Sequence, residues 1–488
     1  EATYVGETFD LEAFYHVPRY HWKYEGDFYG LVREATDMAG QDIWNSKAPE
    51  GVEFRGKGKL DGLKVLFGPE VYWGANPKVV LKYSNSLGRV DWTLMHSEDV
   101  ARLDESASAT AATERQTRAT TLYTRTPFGE GVTLELAGLI ARTELIDDRY
   151  RRLGGARQII EDEIDFEDTL GVKAKLSFPL FGALAYIATD IGGLVADGGD
   201  TLREFGTRLP YSALGNKKEI EAGVMMNFGN VMLFPRVLYR DNLVHANRSR
   251  PSSIDDGVLD PGLRPRNRDD DPFAVLDNRE ARAAELFLTY DPTGETPFYQ
   301  WDNDMRENAA FAFNIGANYT EYPTFTDSYQ FFFEPTGVNA AFGVGLPPED
   351  VWEVSSRMVF NPTPRWRVIT NLLAGFQQST GDPEGGTRRF QEFAGKVVYN
   401  RRHIFSGYVK KDAFGPYDFH RQFNVTFPYQ YKLDYALLLD QRRDELTSTK
   451  VGVRTLFREV DENSPADEFD MGLNDYLFQT VFYFLYNF

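Results

Sequence analysis

The chain has 488 residues, a formal net charge of −20, and 26 Tyr, 37 Phe and 42 Gly, but no Cys. The absence of Cys excludes thiol catalysis, thiolate metal sites and disulfides. The excess of 73 Asp and Glu over 53 Lys and Arg argues against nucleic acid as a partner. No run of about 18 apolar residues occurs, so no transmembrane helix is predicted, and the start at Glu1 without a signal peptide is typical of a mature or internal start.

Apolar and polar residues alternate with period two along most of the chain, for example in 172–180, 231–239, 311–319 and 366–376. This alternation predicts β-strands with one apolar and one polar face, and no stretch keeps a helical period. We expect about 18–20 strands, and the lower number applies if neighbouring segments merge. The predicted strands begin near residues 6, 51, 63, 78, 88, 119, 131, 169, 182, 219, 231, 282, 307, 351, 365, 388, 403, 421, 448 and 474.

The predicted connections alternate between short and long. Tight turns are predicted at 59–64, 84–89, 127–131, 179–182, 228–230, 361–365 and 400–403, and long polar segments lie at 100–118, 145–168, 195–218, 244–281 and 321–350. Short turns at one end and long loops at the other are the plan of an outer-membrane barrel. Because no linker or change in composition divides the chain, we interpret residues 1–488 as one domain.

The length of the strands favours a barrel over a soluble sandwich. The predicted strands have about 10–15 residues, enough for the ~9–11 tilted residues that cross a bilayer. In lipid the apolar faces form the outside, and closure of the sheet removes its edges. The predicted fold is therefore an all-β, transmembrane, up-and-down antiparallel barrel with short periplasmic turns and long extracellular loops.

One strand is predicted to be unusually long. In 423–439 every odd position is apolar or aromatic and most even positions are polar, which predicts one strand over 422–440 that continues through Pro428. Such a strand would extend beyond the apolar layer, with Pro428 at a bulge or an unpaired position because proline donates no ladder hydrogen bond. Its polar face would place Gln430, Lys432 and Asp434 on the lumen wall.

The last residues, YLFQTVFYFLYNF, put Phe484, Tyr486 and Phe488 on one aromatic face. A terminal Phe on such a strand resembles the assembly signal of bacterial outer-membrane barrels. The alternative is an ordinary edge strand that happens to end the chain.

At the level of architecture the chain resembles the outer-membrane porin superfamily, including the alginate-export type of barrel. The segment FRGKGKLDGLKVLFGPEVYWGANP (54–77) carries the local likeness, with two basic strands around a tight turn and then a Trp, Asn and Pro loop. The resemblance implies an outer-membrane location and a transport role, and it transfers no functional residue.

If the apolar face contacts lipid, the polar face lines the lumen, and there we assign nineteen basic and eight acidic residues. The basic ones are Arg55, Lys57, Lys59, Lys78, Lys82, Arg89, Lys173, Lys175, Arg236, Arg240, Arg357, Arg365, Arg367, Lys396, Lys410, Lys432, Lys450, Arg454 and Arg458, and the acidic ones are Glu53, Asp91, Glu135, Glu221, Glu285, Glu353, Glu392 and Asp434. A net-basic interior concentrates anions, and Arg binds carboxylate or phosphate. The alternative is that these cations pair with neighbouring acids and stiffen the wall.

From this set we predict an anion pathway made of Arg55, Lys57, Lys173, Lys175, Arg236, Arg240, Arg357, Arg365, Arg367, Lys432, Arg454 and Arg458. No catalytic or metal residue is predicted, because no Ser lies in a GxSxG context and the paired carboxylates fall mostly in loops. We therefore expect no enzymatic activity.

Two other motifs have more than one interpretation. The stretch YHVPRYHWKYEGDFYG (15–30) is expected to be an aromatic girdle at the membrane interface, with a sugar-stacking platform or a metal-binding loop as alternatives. The acidic clusters 160–168, 254–260 and 266–272 are expected to be solvated loops, although Ca²⁺ could bind there. No other cofactor is predicted.

These features predict an outer-membrane channel of a Gram-negative bacterium that passes an anionic saccharide or another anionic solute through a basic lumen. We expect an exporter, and a diffusion porin for uptake is the alternative direction. The expected partners are membrane lipid and lipopolysaccharide, the anionic solute, the outer-membrane assembly machinery and a periplasmic partner. The alternative is a non-conducting barrel that anchors a cell-envelope assembly. In a pore we expect long loops to fold inward and constrict the lumen.

Overall fold

The structure is a computed structural model, and the part of the chain that it describes consists mainly of strands. The described residues are 2–15, 21–32, 50–69, 77–99, 117–143, 149–153, 159–163, 166–192, 217–241, 280–293, 309–323, 331–333, 340–342, 349–378, 387–413, 425–440, 449–462, 464 and 475–486.

Twenty-one strands form one sheet, in which each strand pairs antiparallel with its neighbours along the chain. The strands of this sheet are β1 (Ala2–Val5), β2 (Phe9–Tyr15), β3 (Glu50–Gly56), β4 (Leu63–Pro69), β5 (Pro77–Leu87), β6 (Val90–Asp99), β7 (Thr117–Phe128), β8 (Val132–Thr143), β11 (Leu170–Leu180), β12 (Ala183–Gly192), β13 (Lys217–Phe228), β14 (Val231–Asp241), β15 (Ala281–Tyr290), β16 (Phe311–Tyr322), β19 (Glu349–Thr363), β20 (Trp366–Gln378), β21 (Thr387–Tyr399), β22 (His403–Ala413), β23 (Tyr429–Leu438), β24 (Lys450–Glu459) and β25 (Tyr476–Leu485). Two small hairpins, β9 (Arg149–Leu153) with β10 (Ile159–Glu163) and β17 (Phe331–Phe333) with β18 (Ala340–Phe342), lie in long connections. The predicted all-β, up-and-down antiparallel fold is confirmed, as one barrel-like sheet whose first and last strands are β1 and β25.

The strand positions predicted from the sequence agree with this ladder. From β3 onward, each of the predicted strands begins within about four residues of a strand in the structure, except the one placed near 421. The sheet has one strand more than the upper prediction, because the four-residue strand β1 pairs with β2 ahead of the first predicted strand.

The tight turns lie at one end of the strands, as predicted. Several contain residues with positive φ, among them Gly88, Gly182 and the consecutive pair Asn400 and Arg401. Two longer connections also lie at this short-turn end, between β15 and β16 and between β23 and β24, which the regular alternation of short and long connections did not predict.

The sheet has one apolar face and one polar face. In β23, Leu433 points to the apolar face with 73% of its surface exposed, whereas Lys432 and Asp434 point to the other face. In β25, Phe482 is 82% exposed on the same apolar face. An apolar surface that runs over most strands of the sheet is unlike the surface of a soluble monomer and fits contact with lipid.

The predicted 422–440 strand is wrong in its first half, because the strand begins at Tyr429, directly after Pro428. Pro428 has no N–H to donate, and its carbonyl oxygen accepts a hydrogen bond from the Asp412 N–H at 2.8 Å. Thr426 is buried outside the ladder, with its hydroxyl 3.0 Å from Asp461 Oδ2. The strand is therefore ten residues long. Contrary to the prediction, it does not extend beyond its neighbours.

Helix is confined to α1 (His21–Tyr24) and two short 3₁₀ turns within the described ranges. No helix among those residues is long and apolar enough to span a membrane. The largest buried cluster lies on the polar side of β4–β8, where Trp22, Tyr29, Leu31 and Val32 pack on the sheet. The segment that carries these four residues covers part of the polar face.

The predicted assembly signal lies at the end of β25. Phe484 is on the apolar face and exposed, and Tyr486 directly follows the strand and is also exposed. Phe488 and the acidic clusters 254–260 and 266–272 lie outside the described residues. The role of this aromatic end in assembly remains a prediction.

Candidate solute pathway and inner segment

Strand register places most of the predicted pathway residues on the polar face. Ten of the twelve lie there on strands, namely Arg55, Lys173, Lys175, Arg236, Arg240, Arg357, Arg367, Lys432, Arg454 and Arg458. Lys57 directly follows β3 and reaches Asp10 on the same side. Arg365 lies in the turn between β19 and β20 and is exposed, so its assignment to a strand face was wrong.

The polar face is less basic than the sequence predicted. Among the residues whose side chains the structure describes, register adds six acidic ones to this face, namely Asp10, Glu12, Asp190, Glu219, Glu349 and Asp412. It also adds three basic residues, Lys64, Arg125 and Arg388, whereas Arg89 and Lys59 lie in turns. The excess of cations is therefore smaller than the assigned strand faces suggested.

Carboxylates pair with five of the predicted pathway cations. Arg55 Nε lies 2.6 Å from Glu53 Oε1, Lys57 pairs with Asp10 at 2.5 Å, and Arg454 pairs with Asp434 at 2.6 Å. The remaining two pairs are Lys173 with Asp190 and Arg236 with Glu221 and Glu285. For these five cations, the contacts agree with the alternative interpretation, in which ion pairs with neighbouring acids stiffen the wall.

Three other pathway cations lie over aromatic rings. Lys175 is 4.7 Å from the centroid of Tyr186, Arg458 is 4.7 Å from that of Phe427, and Lys432 is 5.8 Å from that of Tyr408. Within the described part of the chain, none of the three cations forms an ion pair with a carboxylate. A cation beside a ring can hold an anionic group while an apolar face of the solute contacts the ring.

Residues 21–32, which we call the inner segment, connect β2 towards β3 and pack against the polar face. Trp22 is fully buried, and its Nε1–H donates to Glu53 Oε2 at 3.3 Å. His21 Nε2 lies 3.1 Å from the other carboxylate oxygen of Glu53. Tyr29 donates to the carbonyl of Ala137 at 3.4 Å, so the segment spans several strands of the wall.

Asp27 organises the second half of the inner segment. Its carboxylate accepts the backbone N–H groups of Gly30, Leu31 and Val32 at 3.0, 2.8 and 2.9 Å. Burial raises the pKa of Asp27 to about 6, although these three hydrogen bonds favour the ionised form and limit the rise. Burial, together with the charge of Asp190, also raises the pKa of Tyr29.

Glu25 joins the inner segment to β4 and β5. One of its carboxylate oxygens, Oε2, accepts hydrogen bonds from both Lys64 and Lys82, and Lys82 also donates to the Glu25 carbonyl at 3.2 Å. Burial favours protonation of Glu25, but the bonds and charges of the two lysines outweigh it and lower the pKa. The carboxylate is therefore ionised at neutral pH.

Beside Glu25 lies a cavity of about 970 Å³ that reaches the short-turn end of the barrel. Its lining includes Glu25, Phe28, Lys64, Lys82 and Arg125, together with the turn residues Gly58, Lys59, Asp61 and Gly62. In outer-membrane barrels the short turns face the periplasm. The cavity is thus a candidate mouth of the solute pathway.

The sequence did not predict this arrangement. The stretch 15–30 was expected to be an interface girdle, but Trp22 and Tyr29 are buried against the polar face, so that interpretation was wrong. Among the residues that the structure describes, no group of three or more His, Asp or Glu side chains is placed to hold a metal ion. The only available signal was the density of aromatic and charged residues, which does not specify where a loop packs.

The apolar outer face and the charged inner face are features that this sheet shares with outer-membrane β-barrels. The predicted up-and-down antiparallel strand order is thus confirmed at the level of fold, without support for the alginate-export type in particular.

No family model matches the chain, and no curated protein does. Among solved structures, the chain is similar to the FrpB iron transporter of Neisseria meningitidis, with 10% identity and a TM-score of 0.34 over 85% of this chain and 68% of that one. It is also similar to Wzi of Escherichia coli, an outer-membrane protein involved in group 1 capsule assembly and a carbohydrate-binding β-barrel, with 11% identity, a TM-score of 0.26 and coverage of 81% and 77%. OccK10 of Pseudomonas aeruginosa matches with 12% identity, a TM-score of 0.29 and coverage of 92% and 96%. At these scores the fold assignment rests on the strand ladder itself.

Proposed function

We propose that this chain is an outer-membrane channel of a Gram-negative bacterium that exports an anionic saccharide. The observation that carries the proposal is the set of cation and aromatic pairs on the polar face, at Lys175, Lys432 and Arg458. These three cations form no ion pair with a carboxylate among the described residues, and such cations attract anions in a low-dielectric pore. The adjacent aromatic rings can contact the apolar faces of sugars. The candidate mouth at the short-turn end fits entry from the periplasm.

The test is the ion preference of the purified protein in planar bilayers. Under a salt gradient, the sign of the reversal potential should indicate anion preference. Lys432→Glu should shift that potential towards cation preference, because it reverses one charge on the lumen wall. Lys411→Glu is the matched control. Lys411 lies on β22, which pairs with the strand of Lys432, but its side chain points to the outer face. Cation preference of the unmodified channel would overturn the proposal.

The second candidate is a non-conducting barrel that anchors a cell-envelope assembly. The inner segment favours it, because Trp22, Tyr29, Leu31 and Val32 are buried on the polar face and narrow the lumen. A protein without measurable current, even after residues 21–32 are replaced by a short Gly-Ser linker, would support this candidate against the channel.

A further inference from the structure

The contact between Glu25 and two lysines has the form of an occupied anion site. The Lys82 side chain is only 3% exposed, and both ammonium groups point at the same carboxylate oxygen. Lys82 Nζ lies 5.0 Å from the centroid of the Trp22 ring and Lys64 Nζ 6.0 Å, so an aromatic surface supports both cations. Two positive charges held by packing and sharing one carboxylate are preorganised for an oxyanion.

The site opens to the cavity described above. Glu25, Lys64 and Lys82 all contribute to its wall, and about 970 Å³ is ample for a short oligosaccharide. Arg125 and Lys59 add positive charge around the same space, and Asp61, Asp91 and Glu135 add negative charge. The rings of Phe28 and Tyr123, with centroids 5.1 Å apart, offer an apolar surface. A carboxylate that reaches the cavity from the short-turn end therefore meets the two lysines.

We propose that Lys64 and Lys82 form a carboxylate-binding site for the transported saccharide, and that Glu25 occupies this site until a uronate group of the solute replaces it. This inference rests on the proposed function. The incoming carboxylate forms ion pairs with Lys64 and Lys82 in place of those that Glu25 made. The exchange therefore leaves neither lysine buried without a counter-ion. Glu25 is able to leave, because its side chain is about one-third exposed at the cavity wall.

The exchange has a consequence for the inner segment. The Glu25 carboxylate is the charged contact between this segment and strands β4 and β5. Glu53 and Asp27 hold other parts of the segment, on either side of Glu25. A bound uronate should therefore loosen the turn around Gly26, whose φ of 99° no other residue adopts easily, and leave the Trp22 contact in place.

The experiment measures binding of trigalacturonate to the purified full chain by calorimetry, with maltotriose as the neutral probe. Glu25→Gln removes the internal competitor, so we expect trigalacturonate to bind about tenfold more tightly, as for the loss of one competing charged contact. The double variant Lys64→Gln with Lys82→Gln should lose at least about tenfold in affinity. Maltotriose should bind equally to all variants.

Glu392→Gln is the matched control. Glu392 lies on the polar face of β21 and pairs with Lys410 at 3.8 Å, so the variant makes the same charge change away from the site. It should leave trigalacturonate affinity within about twofold of the unmodified protein. The heat-dependent mobility of each variant on gels shows whether the barrel is folded.

The outcomes separate this inference from the proposed function. Unchanged affinity in folded Glu25→Gln, or in the double lysine variant if the first does not fold, overturns the site. If the channel is nevertheless anion-selective, the proposed function stands and only the carboxylate site at Lys64 and Lys82 is rejected. Tight trigalacturonate binding that depends on the lysines, in a protein that carries no current, would keep the site and overturn the channel.

Discussion

Two carboxylates of the inner segment, Glu25 and Asp27, respond to pH in opposite directions. Both are packed against the polar face, but only Glu25 contacts lysines directly, whereas Asp27 bonds to backbone N–H groups and faces the charge of Lys82. Burial therefore dominates for Asp27, and the ion pairs dominate for Glu25. The docking of the segment should depend on pH in two separate windows.

For Asp27, the pKa of the docked segment is about 6, above the ordinary value of 3.8. The stabilisation that follows from a raised pKa is complete below the ordinary value and is lost as pH rises through about 6. We therefore expect the inner segment to be docked more firmly at about pH 5 than at pH 7. Hydrogen exchange of the amides of Gly30, Leu31 and Val32 should be slower, after correction for intrinsic rates, at the lower pH.

Asp27→Asn is the control for that window, because its one amide oxygen can still accept from Gly30 and Leu31 and the amide does not titrate. The variant should show no change in corrected exchange between these two pH values. For Glu25, whose pKa is lowered from 4.5, the sign is reversed: its contribution is present above 4.5 and is lost as pH falls through the lowered value. Firmer docking at pH 7 than at pH 5 would contradict the assignment for Asp27.

At the scale of the element, the inner segment is held mainly by Trp22, which is fully buried between α1 and the polar face. Replacing a buried Trp with Ala typically costs about 3–5 kcal/mol. Because residues 21–32 lie outside the strand ladder, this loss should weaken docking and leave the barrel folded. We predict that Trp22→Ala increases single-channel conductance and speeds proteolytic cleavage within 21–32.

Trp352→Ala is the comparison variant, since Trp352 is an exposed residue on the apolar face of β19. It should change neither the conductance nor the cleavage rate. Equal conductance of Trp22→Ala and the unmodified channel would show that the inner segment does not limit the pore.

Strand β23 shows why an alternating pattern overestimates a strand. The residues on both sides of Pro428 alternate equally well, but alternation reports only which face a side chain would take. Ladder hydrogen bonds decide whether a strand exists, and Pro428 interrupts them. Within Tyr429–Leu438 the predicted faces are right, with Gln430, Lys432 and Asp434 on the polar side.

At the scale of the whole molecule, the apolar face is the surface that the bilayer should cover. Leu433 lies near the middle of β23 and is among the most exposed apolar side chains. Leu433→Arg should lower the free energy of unfolding from lipid vesicles by about 2–4 kcal/mol, the typical effect of a charge at mid-bilayer. Denaturant titration of the protein in vesicles measures this value.

Gln430→Arg provides the control on the same strand, because Gln430 points to the polar face. It should change the free energy of unfolding by less than about 1 kcal/mol. If both substitutions destabilised the protein equally, the assignment of lipid and lumen faces would be wrong.

The strands and their two faces follow from the amino-acid sequence alone, because period-two alternation is a local property of the chain. The sequence placed Lys175, Lys432 and Arg458 on the polar face correctly, and it predicted nearly all strand starts. It did not determine the charge balance of that face, because an acid such as Asp190 or Asp412 is assigned only once the register is known. The packing of residues 21–32 on the sheet, and the contact of Glu25 with Lys64 and Lys82, became visible in the three-dimensional structure and not before. Those contacts join residues about 39 and 57 positions apart, and no local pattern encodes a loop's packing partner at that distance.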